Sequence, residues 1–92
     1  MRILVTPTFE RTVKKLHPRQ KTALDEAVRT IASQPEAGEP TVSDLSGAQV
    51  YKFRMGNLLC LLAYRVREKN TLKLLMVGPH ENFYRDLKRS EH

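Results

Sequence analysis

A chain of 92 residues, 40% of them hydrophobic, has the composition of a folded protein and is long enough for one core but too short for two. A single cysteine, Cys60, excludes an internal disulfide, and no apolar run approaches the roughly 20 residues that a membrane-spanning helix needs. The net charge of +6 is unevenly placed: residues 1–49 hold 7 basic and 6 acidic side chains, residues 50–92 hold 9 and 4. The C-terminal half therefore suits a polyanionic partner such as RNA, DNA or an acidic protein segment, with a solvated basic surface as the plain alternative. A single domain over 1–92, soluble, cytoplasmic and without a membrane partner, is expected.

In chain order, Arg2 to Thr6 reads as a short strand. Thr6-Pro7 then resembles a helix start, with Thr6 as cap and Pro7 at the first helical position, Thr8 being the alternative cap. Phe9, Val13 and Leu16 give the first helix its apolar stripe, and His17-Pro18 is expected to end it. Pro18 opens a second helix that buries Leu24, Ala27, Val28 and Ile31, so the two form a helical hairpin. His17 is most simply a cap or turn residue. Residues 34–48, dense in Pro, Gly and Ser, read as irregular, with Leu45 as the anchor to the core.

From Val50 the period changes to two. VYKFRM places Val50, Lys52 and Arg54 on one face and Tyr51, Phe53 and Met55 on the other, and Gly56-Asn57 is a hairpin turn. LLCLLAYRV, from Leu58, is apolar on both faces, as a strand covered on each side would be. The last strand, from Thr71, is expected to carry Leu72, Leu74 and Met76 on one face and Lys73, Leu75 and Val77 on the other, until Gly78-Pro79 ends its pairing. Asn82 to Arg89 forms a short helix with Phe83 and Leu87 at i, i+4. The order is an α+β fold, β-α-α-β-β-β(-α): an antiparallel meander sheet with an N-terminal helical hairpin packed on one face.

The chemistry is defined first by absences. His17, His80, His92 and Cys60 have no metal-ligand spacing, and neither a glycine-rich phosphate loop nor a G-x-S-x-G elbow occurs. No metal and no cofactor are expected, which leaves acid-base chemistry on a basic surface. RNA can be cut that way, by attack of its own 2′-hydroxyl on the adjacent phosphate. The reaction needs a base, an acid for the leaving oxygen, and cations for the charge that builds on phosphorus. An imidazole suits either proton transfer near neutral pH, and His80, which follows the Gly78-Pro79 break, is the candidate to supply it. Lys52, Arg54 and Arg85 are candidate phosphate clamps, and Tyr84 and Phe83 are candidates to stack on a base. Each has a plain reading as well: a solvated histidine, the wet face of a strand, and a packed aromatic.

The segments GEPTVSDLSGAQVYKFRMG, LLCLLAYRV and above all LLMVGPHENFYRDLKR occur in an order that resembles the RelE/ParE superfamily of toxins from bacterial type II toxin-antitoxin systems. The turn GPHENFY looks like the RelE and YafQ branches, which are messenger RNA endonucleases acting on the ribosome. The resemblance implies His80 in proton transfer, Phe83 or Tyr84 as the aromatic that follows it, and Lys52 and Arg54 as the basic pair of the preceding strand. The catalytic candidates are thus His80 and Tyr84, with Lys52, Arg54 and Arg85 to stabilise the phosphate. Lys52, Arg54, Arg65, Phe83 and Lys88 are the candidates for RNA binding. The implied partners are a cognate antitoxin, messenger RNA and the ribosomal A site, with DNA reached only through an antitoxin complex. The chain departs from the pattern in two places. Leu58 to Leu62 is apolar where RelE-like proteins carry a further arginine, and no histidine lies between His17 and His80, where YafQ-like proteins add theirs. Arg65 and Arg85 are then the cations left to compensate. The same fold also serves ParE-like gyrase inhibitors without nuclease chemistry.

Overall fold

The computed structural model describes residues 2–40, 47–68 and 70–90; Leu45 and His92 lie outside the described residues. Its elements are β1 (Arg2–Val5), α1 (Pro7–Lys14), α2 (Pro18–Ser33), a 3₁₀ turn (Pro35–Ala37), β2 (Glu39–Pro40), β3 (Ala48–Met55), β4 (Leu58–Arg67), β5 (Thr71–Pro79) and α3 (Phe83–Ser90). Thr6 caps α1 as its sequence predicts, its hydroxyl accepting the Phe9 N–H at 3.1 Å with Pro7 in the first turn. The helix ends at Lys14, sooner than the His17-Pro18 pair alone dictates. There the Lys15 and Leu16 N–H groups turn back to the Thr12 and Val13 carbonyls at 3.0 and 3.1 Å, the tighter 3₁₀ pattern. His17 then caps α2, its N–H donating to Gln20 Oε1 at 3.0 Å.

The strands form one sheet in the order β1-β5-β4-β3-β2, with β1 parallel to β5 and the other pairs antiparallel. The meander β3-β4-β5 is as expected. Met55 pairs with Leu58 across a two-residue turn in which Gly56 has φ +63°, a conformation glycine adopts without steric cost. The structure adds β2, a two-residue strand inside the segment that reads as irregular. It also carries β5 through Gly78 and Pro79, which pair with Leu61 and Cys60. Proline is tolerated there because β1 pairs only with residues 71–74, so that end of β5 has an open edge.

A bulge sets the faces of β5. Ala63 pairs with Met76 and Tyr64 with Leu74, so Leu75 has no partner on β4. Its carbonyl is instead taken by the Thr6 hydroxyl, which donates to it at 2.6 Å, while the Thr6 N–H donates to the Leu74 carbonyl at 3.1 Å. The expected alternation therefore breaks after Leu74: Met76 joins Leu75 on one face and Val77 returns to the face of Leu72 and Leu74.

Each face of the sheet carries its own core. On the helical-hairpin face, Phe9, Leu24, Ala27 and Ile31 meet Cys60, Leu62, Tyr64, Leu72 and Leu74. On the other, Phe83 and Leu87 of α3 close over Ala48, Val50, Leu61, Ala63, Leu75 and Met76. Residues 60–64 are accordingly all buried, as an apolar-on-both-faces strand requires. Burial pushes the Cys60 thiol up, against a smaller lowering by a backbone hydrogen bond at Met55, which makes it an inert core side chain. Tyr64 secures the 35–40 segment to the sheet. Its hydroxyl donates to the Pro35 carbonyl at 2.6 Å, accepts the buried Gly38 N–H at 2.9 Å, and lies 3.0 Å from Gln49 Oε1.

Candidate functional site

The face away from the helical hairpin gathers most of the predicted residues. Period two along β3 carries the face of Ala48 and Val50 on to Lys52 and Arg54; α3 buries the first pair, and the second pair is exposed. Arg54 lies opposite Leu59, whose carbonyl accepts the His80 N–H at 3.0 Å, while Lys52 lies opposite Leu61 and Leu61 opposite Gly78. The backbones of Arg54 and His80 are thus two strand spacings apart, about 10 Å. Lys52, Arg54 and His80 occupy one rim of the sheet, with a gap between them that long cationic side chains can bridge to a phosphate. Arg54 Nη1 is 3.4 Å from the Asn57 carbonyl, a weak tether to the hairpin turn.

The turn is clamped through its backbone. Besides the bond to Leu59, the His80 carbonyl accepts the Phe83 N–H at 3.3 Å. Asn82, at φ +62°, redirects the chain into α3, and its carbonyl accepts the Asp86 N–H at 3.1 Å. The His80 side chain is exposed on this fixed base. In α3, one turn of helix separates Phe83 from Leu87, and both face the sheet. Phe83 is only 2% exposed, so it is a core side chain in this structure and has no free face for a base, contrary to the stacking role expected of it. Tyr84 is 46% exposed and packs edge-to-face on Phe83, with ring centroids 5.7 Å apart at 87°, leaving most of its ring to solvent. Arg85 and Lys88 are exposed on the same helix, and Arg85 Nε lies 3.7 Å from Asp86 Oδ1, a loose surface pair.

Arg65 is not brought to this rim. It lies opposite Ala48 and Lys73, six residues along β4 from Leu59 and so about 20 Å away. Of Arg65 and Arg85, only Arg85 lies on the element that directly follows the His80 turn. A cleft of about 350 Å³ on the other side of the turn is lined by Thr8, Thr12, Glu81 and Asp86 among others, and contains no cation. Its two carboxylates, Glu81 and Asp86, make it unfavourable for a phosphate. Among the described residues no three His, Cys, Asp or Glu side chains gather in a set that could hold a metal ion.

This mixed α+β architecture, a helical hairpin on one face of a five-stranded sheet, matches the fold of RelE toxins. The chain is 26% identical to a chain of the toxin-antitoxin complex RelBE2 from Mycobacterium tuberculosis, covering 86% of this chain and 96% of that one with a TM-score of 0.71. The isolated E. coli RelE toxin shares the fold at 17% identity, 96% coverage of both chains and a TM-score of 0.67. The archaeal RelE-RelB complex from Pyrococcus horikoshii does so at 15% identity, 87% and 94% coverage, and 0.59. Residues 3–88 match the family of ParE-like toxins of type II bacterial toxin-antitoxin systems, and the chain belongs to that family. No curated protein matches it. Among the described residues no helix is long and apolar enough to cross a membrane.

Proposed function

We propose that this toxin is a metal-independent endoribonuclease that cuts messenger RNA in the A site of the translating ribosome, arresting translation and growth. The observation that carries the reading is the backbone-clamped, exposed His80 on the same rim of the sheet as Lys52 and Arg54. The 2′-hydroxyl of the RNA attacks the adjacent phosphorus, the 5′-oxygen leaves, and a 2′,3′-cyclic phosphate remains. His80 supplies one proton transfer and Tyr84, on the next turn, positions or protonates the leaving side. Lys52, Arg54 and Arg85 hold the charge that grows on the phosphoryl oxygens, Arg being suited to bidentate contact. RelE toxins crystallise with RelB antitoxins, and by that likeness an acidic or amphipathic antitoxin segment covers Lys52 and Arg54 here, with DNA engaged only through that complex.

The test is a primer-extension map of cellular transcripts after brief induction, the parent beside His80→Ala. Cuts inside translated codons are expected in the parent, absent in the variant and suppressed by co-expressed antitoxin. Growth arrest with intact transcripts and accumulating DNA breaks would overturn the nuclease in favour of a gyrase-directed toxin.

A further inference from the structure

We infer that the same sheet face carries a second phosphate-binding site at its opposite end, formed by Arg2, Arg67 and Lys73, which grips the RNA backbone away from the bond being cut. The inference rests on RNA being the ligand of this face. Three strands converge there. Thr71 of β5 stands between Arg2 of β1 and Arg67 of β4, and Lys73, two residues on, stands beside Leu4. Side-chain alternation fixes their direction. Arg67 follows Leu61 and Ala63, which pack under α3, and Lys73 lies between Leu72 and Leu74, which face the helical hairpin. All three cations therefore share the face of Lys52 and Arg54.

These side chains, with Leu4, Thr71 and Glu68, line an open depression of about 320 Å³. Three cations and a hydroxyl donor face one carboxylate, and Arg2 and Arg67 lie about two strand spacings, ~10 Å, apart. The parallel pairing of β1 is what brings Arg2 in: its N–H donates to the Asn70 carbonyl, nearly 70 residues away in the chain. A small free anion is best held in an enclosed pocket, whereas a shallow basic depression suits a phosphate that is one link of a longer chain. From Lys73 to the His80 turn β5 runs about 20 Å, a span that several nucleotides of a single strand cover. The interval is covered by α3, whose outer side exposes Arg85 and Arg89. The two ends and the helix between them thus form one cationic track, and the far depression is its terminal grip.

The experiment uses the full chain and fluorescein-labelled, uncleavable 2′-O-methyl RNAs of 4 and 20 nucleotides, titrated by anisotropy across a salt series. The parent is expected to bind the 20-mer more tightly than the 4-mer. Arg67→Gln/Lys73→Gln is expected to lose about tenfold on the 20-mer, with the salt slope reduced by about 1.4 for two lost contacts to a single strand, and to keep the 4-mer affinity. Arg67→Lys/Lys73→Arg, which conserves charge, is expected to keep both, and thermal midpoints check that all variants fold. Length-dependent binding in the parent with an unchanged slope in the Gln variant would overturn the second site and leave the RNA reading standing. Failure of the parent to bind either RNA would overturn both. Loss of affinity for a polyglutamate peptide alone, with RNA binding intact, would assign the depression to an acidic protein partner and overturn the inference.

Discussion

Replacing Tyr64 by Phe removes one oxygen and nothing else from the middle of β4, at a residue that is 0% exposed. Two backbone groups lose their partner: the buried Gly38 N–H and the partly buried Pro35 carbonyl. A buried group left unsatisfied costs about 1–3 kcal/mol, and one of the two can recruit water, so the expected loss is about 2.5 kcal/mol. For a domain of this size that lowers the thermal midpoint by about 10–20 °C, readable by circular dichroism or calorimetry. Gly38→Ala should cost a similar amount, because a Cβ there would run into the Tyr64 ring and hydroxyl. The double variant should cost less than the sum, since both changes break one contact. The pH dependence has a definite sign. Burial holds the Tyr64 phenol above its ordinary range, outweighing the lowering by the Gly38 N–H, with Glu36 and Tyr51 adding to the rise. The unfolded chain ionises first, near pH 10, so the stabilisation is complete below that pH and is lost as the pH climbs past it. In Tyr64→Phe the decline above pH 10 should be shallower. A midpoint within 2 °C of the parent, with an unaltered alkaline decline, would refute the assignment of Tyr64 as the tie between the 35–40 segment and the sheet.

Thr6→Val should cost about 2 kcal/mol by denaturant unfolding, part from the lost helix cap on Phe9 and part from the Leu75 carbonyl stranded at the bulge; Thr6→Ser should recover most of it. Phe83→Ala and Tyr84→Ala should separate core from site in adjacent residues. The first is expected to destabilise by about 3–4 kcal/mol and to raise amide exchange across α3, the second to stay within ~0.5 kcal/mol while reducing RNA cleavage.

What the sequence made legible was what neighbouring residues decide. Thr6-Pro7, His17-Pro18 and Gly56-Asn57 act through bonds to residues within a turn: the first two start helices and the third turns the hairpin where expected, although α1 already ends at Lys14, before His17. The shared face of Lys52 and Arg54 follows from alternation, and the i, i+4 spacing of Phe83 and Leu87 already favoured packing over stacking. The pairing of β1 was not legible, because a parallel ladder between residues about 70 apart leaves no local sign. Nor was the bulge: residues 74–77 are all apolar, so slipping one residue exchanges one hydrophobic side chain for another and periodicity cannot register it. The Arg2, Arg67 and Lys73 cluster had half a signal, the alternation of Arg65, Arg67 and Lys73, but needed β1 to complete it. The remoteness of Arg65 from His80 appears only once the register of β3, β4 and β5 is fixed.

For the nuclease proposed above, the openness of the His80 rim bears on where cleavage would take place. His80, Tyr84, Arg85, Lys52 and Arg54 are all exposed to water. In such a setting charges are screened and a flexible RNA must be ordered at each encounter. Holding reactants in register is worth up to about 7–11 kcal/mol, and the chain itself supplies only a basic face and a fixed turn. A ribosome that already holds the codon extended and presses the toxin against it would supply the remainder. If it contributes even about 4 kcal/mol, a codon in the A site is cut ~10³-fold faster than the same sequence in free RNA. Single-turnover cleavage of one labelled message, free and in a stalled ribosomal complex, measures the ratio. A ratio near one would mean that the exposed residues position the phosphate unaided, and the ribosome would have no part in the reaction.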